Sequence, residues 1–345
     1  MWLLGSLPTV IGVAAIAPAL LVLWLVIAAD ERPGPPAQVW LAFVLGAASI
    51  SLLGLARVPF NALLAIPGNP WMTQAVRALF GVAAPEEIVK VLVIVAISTR
   101  RRAFADPMDT VVYGAAAGLG FAAYENLAYL VQHKDMWRAL AALRSVLTVP
   151  FHGSLGVIAG AYLAIARSGG ALGAHRHNRD WARISSWALV LFAPIALHAA
   201  FDFPLLTLQR NPDLGSTTRL LLGSASVLIG FSSIGFAIRL VRRVGRHHAP
   251  RTVLARERLS QLRRMWALLL IGGGAGFAGV AFLLTSLHHW YVNPERNASF
   301  ILVPIGFTSI LIGLALLIAT TAVYFLGRNR MRTAPHGFSS APGQS

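Results

Sequence analysis

The chain has 345 residues, 56% of them hydrophobic and 12% charged, and 29 Lys and Arg against 13 Asp and Glu give a net charge of +16. A soluble globular chain carries about 25% charged residues, so this composition excludes a disordered protein and argues against one water-soluble core. There is no cysteine, which excludes a disulfide framework, a cysteine nucleophile and a Cys-ligated metal.

A helical membrane span needs about 20 apolar residues. Nine segments reach that length: 8–29, 37–56, 75–98, 107–131, 139–167, 185–208, 218–241, 265–287 and 301–326. The predicted fold class is all-α, a polytopic transmembrane helix bundle of about nine spans. The first segment does not read as a signal peptide. Met1 to Thr9 carry no Lys or Arg, and the apolar run is too long. The chain divides into two N-terminal helices with an outer loop (1–74), a four-helix core (75–208), accessory helices with a basic loop at 242–264 (209–326), and a Pro/Gly/Ser-rich disordered tail (327–345).

The basic residues set the orientation. Twenty lie in one set of alternate loops, including Arg100, Arg101, Arg102 and nine Arg between 239 and 264. Eight lie in the other set, among them Lys134, Arg138, Arg144 and Arg210, and Lys90 lies inside a span. Cytoplasmic loops carry the excess of Lys and Arg, so the N-terminus is expected outside and the C-terminus in the cytoplasm. The basic runs flank apolar segments. They are a topology signal on a lipid bilayer, not a nucleic-acid surface.

Small residues recur at helical spacing as Gly114 and Gly118, Gly156 and Gly160, and Gly272 and Gly276. Such faces let helices approach closely.

Glu86, Glu87, Lys90, Glu125, His152, His198 and Asp202 fall where lipid is expected. A charged residue at mid-helix costs roughly 2.5–3.5 kcal/mol on insertion scales, so these residues must meet one another or a water-filled cavity. Lys90 stands at i+4 from Glu86 and i+3 from Glu87, on one helical face. One Lys cannot fully neutralise two carboxylates. One of the two should therefore remain near water and free to act as a general base. Gly114, Gly118, Phe121 and Glu125 share a face of the next helix, and Asn126 beside them can donate a hydrogen bond. Thr148, His152, Gly156 and Gly160 line up on the following one. Pro194, His198 and Asp202 do so on the fourth, where Asp202 could hold the His198 ring and Pro194 could loosen the helix. Counted from the span ends, the cluster falls in the outer half of the membrane. Ser154 reads as a packing residue, since it is one place too early for a Gly-x-Ser-Gly turn. No H-E-x-x-H, P-loop or Rossmann pattern occurs.

Glu-Glu-x-x-Lys (Glu86, Glu87, Lys90), Phe-x-x-x-Glu-Asn (Phe121, Glu125, Asn126), His152 and His-x-x-x-Asp (His198, Asp202), one on each of four consecutive helices, resemble the PrsW family of intramembrane proteases. That family belongs to the wider CAAX-prenyl-protease and bacteriocin-processing superfamily. The resemblance covers roughly residues 75–208. It implies a multi-pass peptidase of a bacterial plasma membrane that cuts a membrane-anchored protein, an anti-sigma factor among the candidates. It also implies water activated by glutamate without a required cofactor. A divalent metal such as zinc, held by Glu86, Glu125, His152 and His198, is the other arrangement. The prenyl-protease branch has a His at the place of Glu125 and an Asn at that of Asp202.

In the glutamate arrangement Glu86 is the general base, and Glu125 or His152 shares the water. Glu87 is held by Lys90, and His198, steadied by Asp202, meets the oxyanion. Intramembrane Glu, His and Asp also build proton relays. A proton-coupled transporter or channel is therefore the alternative from another class.

Overall fold

The structure is a computed structural model that describes residues 7–30, 34–66, 68–99, 106–168 and 179–245. These lie within one compact unit, Met1–Ala249. The described elements are all helical: α1 (Leu7–Ala29), α2 (Pro36–Ala48), α3 (Leu53–Arg57), α4 (Asn61–Leu64), α5 (Pro70–Val76), α6 (Ala84–Ser98), α7 (Pro107–Gln132), α8 (Trp137–Val146), α9 (Thr148–Arg167), α10 (Arg179–Arg210) and α11 (Ser216–Gly245). Short 3₁₀ turns join α2 to α3 and α3 to α4, and a π-helical turn, Arg77–Ala83, joins α5 to α6.

Five stretches among the described residues are long and apolar enough to cross a membrane: Thr9–Ala28, Pro36–Leu64, Lys134–Arg167, Arg183–Arg210 and Ser216–Gly245. They overlap five of the nine predicted segments. The predicted 75–98 segment runs helical without a gap through the end of α5, the π turn and α6, and is set apart from these five by Arg77, Glu86, Glu87 and Lys90 within it. The predicted 107–131 segment is α7, which has ample length at 26 residues. Its centre is built from Gly and Ala, and from Asp109 to Ala123 every residue is buried. A helix sheathed by other helices does not need the large apolar side chains that lipid selects. The predicted spans 265–287 and 301–326, residues 246–264, the Gly272/Gly276 face and the tail lie outside the described residues.

α7 is the hub. It packs most extensively on α9, and then on α2 and α1, while α9 also meets α10 and α11. Asp106 caps its start. The Asp106 carboxylate accepts from Met108 N at 2.8 Å, and Asp109 Oδ2 accepts from Asp106 N at 3.0 Å. This is a reciprocal capping box with Pro107 at the first helical position. Along the α7–α9 seam, a Cβ on Gly114 would strike the Gly156 carbonyl, one on Gly156 the Gly114 carbonyl, and one on Gly160 the Thr110 carbonyl. Glycine is required there because the two backbones touch.

Two prolines shape the neighbouring helices. Pro150 has no N–H, and its ring crowds the carbonyl four residues back. The predicted 139–167 helix is accordingly broken at Leu147 (φ −108°, ψ −60°) into α8 and α9. Pro85 stands four residues after Gly81. The π turn widens the backbone there, and the Gly81 carbonyl, which Pro85 cannot serve, accepts from Arg57 Nε at 3.0 Å. α10 stays helical through Pro194 and Pro204.

Candidate active site

The helices run so that Glu86 falls in the first turn of α6 and His152 near the start of α9, while Glu125 lies toward the end of α7 and His198 in the second half of α10. The structure brings all of these residues together in one contact network. The interior members are closed off. Lys90 and Glu87 are each 1% exposed, and His152 and His198 2%.

Lys90 is the hub of the charges. Its Nζ donates to Glu87 Oε1 at 2.8 Å and to Glu86 Oε2 at 3.4 Å, and lies 3.0 Å from His152 Nδ1. Beneath it, 3.9 Å from Nζ, is the centroid of the Phe121 ring. An ammonium on an aromatic face is attracted by the ring quadrupole. An ammonium can only donate, so His152 Nδ1 accepts and its Nε2 carries the proton. That Nε2 donates to Glu125 Oε2 at 3.0 Å.

The two adjacent carboxylates are held unequally. Glu87 Oε1 has two short partners, Lys90 Nζ at 2.8 Å and His198 Nδ1 at 2.7 Å. Glu86 Oε2 has only the longer contacts, 3.4 Å to Lys90 and 3.9 Å to His198 Nε2. His198 therefore has a carboxylate behind its Nδ1 and another, Asp202 Oδ2, 3.3 Å from its Nε2. The spacing of Asp202 foretold its contact. The Glu87 contact crosses from α6 to α10 and leaves no trace in sequence spacing. The two imidazoles meet edge-to-face, 5.1 Å apart. The cluster opens where Glu125 and Asp202 stand, their side chains 17% and 19% exposed.

Sequence reasoning placed Arg144 among the basic residues of an outer loop set, and the structure corrects this. Arg144 is 8% exposed, with Nη2 2.6 Å from Glu125 Oε2 and Nε 2.6 Å from Asn126 Oδ1. Its guanidinium lies 4.2 Å from the centroid of the Tyr129 ring. Arg144 lies in α8, which ends at the Leu147 break, and Pro150 was the available signal. Asn126 takes part through this arginine, and its Nδ2 donates to Ala15 O at 3.4 Å. Ser154 Oγ donates to Phe151 O at 2.7 Å, a bond closed within its own helix.

Glu86, His152 and His198 can each offer a ligand atom, all within 4.8 Å of one another. One carboxylate and two imidazoles are a donor set that suits a zinc-like cation. Glu87 behind His198 Nδ1 is the kind of partner that orients a metal-bound imidazole. The residue types fit such an ion, and binding it would require His152 to release either Lys90 at Nδ1 or Glu125 at Nε2. Glu125, expected in the ligand set, is not in this group. Its Oε2 meets Arg144 and His152 instead.

Residues 34–232 match the family described as PrsW family intramembrane metalloprotease. Similar proteins include Protease PrsW of Oceanobacillus iheyensis, 29% identical over 193 residues, or 55% of this chain and 80% of the relative. Protease PrsW of Geobacillus kaustophilus is 30% identical over 197 residues, again 80% of the relative and 57% of this chain. The match to Protease PrsW of Bacillus subtilis is 38% identical over 106 residues, which is 31% of this chain and 43% of the relative. The chain thus spans under half of the Bacillus subtilis relative and four-fifths of the other two. No solved structure matches the chain.

Proposed function

The chain belongs to the PrsW family of intramembrane metalloproteases, matched over more than half its length, and from that premise we propose that it is a multi-pass peptidase of a bacterial plasma membrane that hydrolyses a peptide bond in a membrane-anchored protein. An anti-sigma factor is a substrate of the right kind: a single-pass protein whose release from the membrane carries a signal. The basic-residue count favours an outer N-terminus, and counted from the span ends the cluster then falls in the outer half of the membrane. The relatives carry protease names, which favours hydrolysis over the transporter or channel reading.

The observation that carries the mechanism is the unequal holding of Glu86 and Glu87. Glu87 is locked by Lys90 and His198 and orients both. Glu86, with longer contacts, is the carboxylate able to take a proton from water. The water oxygen then bonds to the peptide carbonyl carbon. The C–N bond breaks as the proton passes from Glu86 to the leaving amine nitrogen. His198, backed by Glu87 and Asp202, faces the oxygen on which negative charge develops. Preorganised donors at that position commonly contribute the largest single share of such a rate enhancement. Glu125 and Asp202, on the open side, border the path of water and substrate.

The family's description and the three-atom donor set favour a second arrangement, in which Glu86, His152 and His198 hold a divalent cation. That cation, when bound, supplies Lewis acidity at the same place. In both arrangements Glu86 is indispensable. Glu86→Gln in folded, membrane-inserted protein should lower cleavage of a tethered reporter by at least about 10²-fold. Undiminished cleavage would refute the assignment.

A further inference from the structure

Arg144 belongs to none of the four motifs on which the family resemblance rests, yet it grips two of the residues in them. It comes from α8, the short helix before the Leu147 break. Its fork meets Glu125 through Nη2 and Asn126 through Nε, both at 2.6 Å, while its plane lies over Tyr129. A guanidinium offers donors in a fixed geometry, so two acceptors on consecutive residues fix it in place. Both Arg144 and His152 converge on the same Glu125 oxygen, Oε2. Glu125 Oε1 has no hydrogen-bond partner among the described residues, and the side chain is 17% exposed, toward the open side of the cluster.

We propose that Arg144 is a positioning residue for the hydrolytic site. By pinning Oε2 of Glu125 against His152, it turns Oε1 of the same carboxylate toward the incoming water and peptide. The proposal rests on the peptidase reading for its kinetic half, and on the contacts alone for its structural half. Arg144 acts through Glu125, and it thereby holds the His152 ring, whose other nitrogen meets Lys90. Its mark is on kcat, since it orders a reacting group and binds no part of the substrate.

Two measurements test this on purified, full-length protein in lipid nanodiscs. Cleavage of a tethered reporter by Arg144→Met should fall in kcat by about 10²-fold, the typical result of misplacing a reacting group by 1 Å, with KM within about twofold. Arg144→Lys, which keeps the charge and one of the two bonds, should recover a substantial part. Arg144→Met/Glu125→Gln should be no slower than Glu125→Gln alone, because the two act as one unit. Multiplying losses in the double variant, or an unchanged kcat in Arg144→Met, would overturn the proposal.

The second measurement needs no activity. In ¹⁵N-histidine-labelled protein, the His152 ring resonances, identified by their loss in His152→Asn, should shift in Arg144→Met and shift less in Arg144→Lys. Identical His152 signals would overturn the proposal whether or not the protein cleaves anything. A wild-type protein that cleaves no reporter, while the His152 signals move as expected, would count against the peptidase reading and leave the positioning contact standing. Should Arg144→Met fail to fold, Arg144→Lys carries both measurements, and wild-type kcat together with wild-type signals in that variant would overturn the proposal.

Discussion

Gly118→Ala tests whether the glycine seam between α7 and α9 sets the site. A Cβ at this position would run into the carbonyl oxygen of His152, closer than real Cβ atoms come, and would lie 3.2 Å from its carbonyl carbon and 3.5 Å from Gly156 Cα. Carbon contacts are at rest near 3.5–4.0 Å. Every atom struck is backbone, so no side chain can rotate away and α9 must move by about 1 Å. Overpacking of this kind costs about 1–3 kcal/mol. The displaced residue is His152 itself, whose ring bridges Lys90 and Glu125. A displacement near 1 Å at a reacting centre costs about 10²-fold in rate. Thermal unfolding in detergent should show a lowered Tm, and the folded fraction should cleave a reporter about 10²-fold more slowly. Gly153→Ala is the control. Its Cβ would meet only the Leu119 side chain, at 3.0 Å and beyond, and that side chain can turn. Gly118→Ala with wild-type Tm and kcat, or Gly153→Ala equally damaged, would refute the reasoning.

Lys90→Met leaves Glu86 and Glu87 buried without their cation, and breaking such a buried pair costs about 3–5 kcal/mol. Chemical denaturation should show that loss, with partial recovery in Lys90→Met/Glu87→Gln. The three-ligand arrangement predicts that chelation abolishes cleavage, that zinc restores it, and that metal content per folded chain falls in His198→Ala. Full activity in metal-free protein would refute the three-ligand arrangement and leave Glu86 acting alone. Ser154→Ala should cleave at the wild-type rate, since its hydroxyl is committed to Phe151 O. A loss beyond tenfold with Tm unchanged would put that serine back in the chemistry.

Much of the cluster was legible because helical spacing is a short-range rule. The contacts of Lys90 with Glu86 and Glu87, and of Asp202 with His198, all lie within one helix at i+3 or i+4. The expense of charge in lipid also marks such residues for one another without saying which pairs form. The pairs that cross between helices, His198 with Glu87 and His152 with Lys90, depend on the rotation of each helix about its axis, which spacing does not fix. Arg144 was hidden for a different reason. Near a span end, an arginine in sequence looks like a topology anchor, and only the break before Pro150 shows that α8 is a separate helix. The π turn before Glu86 was equally silent, although Pro85 marks the place where an α-helical bond to Gly81 is lost. α7 holds a role that its span-like pattern does not reveal. Its Gly- and Ala-rich centre reads as a span, and only its burial shows it to be the post around which the others stand.

The charge of the cluster can be argued one step further. Glu86, Glu87, Glu125 and Asp202 bring four carboxylates into one contact network, and Lys90 and Arg144 bring two fixed cations. With both imidazoles neutral the network is left with two uncompensated negative charges, in a chain whose overall charge is +16. Uncompensated charge in a low-dielectric interior is expensive, so the site must gain positive charge, by taking up a proton on a carboxylate or imidazole or by drawing in a cation. His198, set between Glu87 and Asp202, is placed to hold part of it as a proton. A divalent cation among Glu86, His152 and His198 would supply all of it. Within this network Glu86 is the loosely held member. Lys90 is already committed at 2.8 Å to Glu87, which leaves Glu86 only the longer contacts.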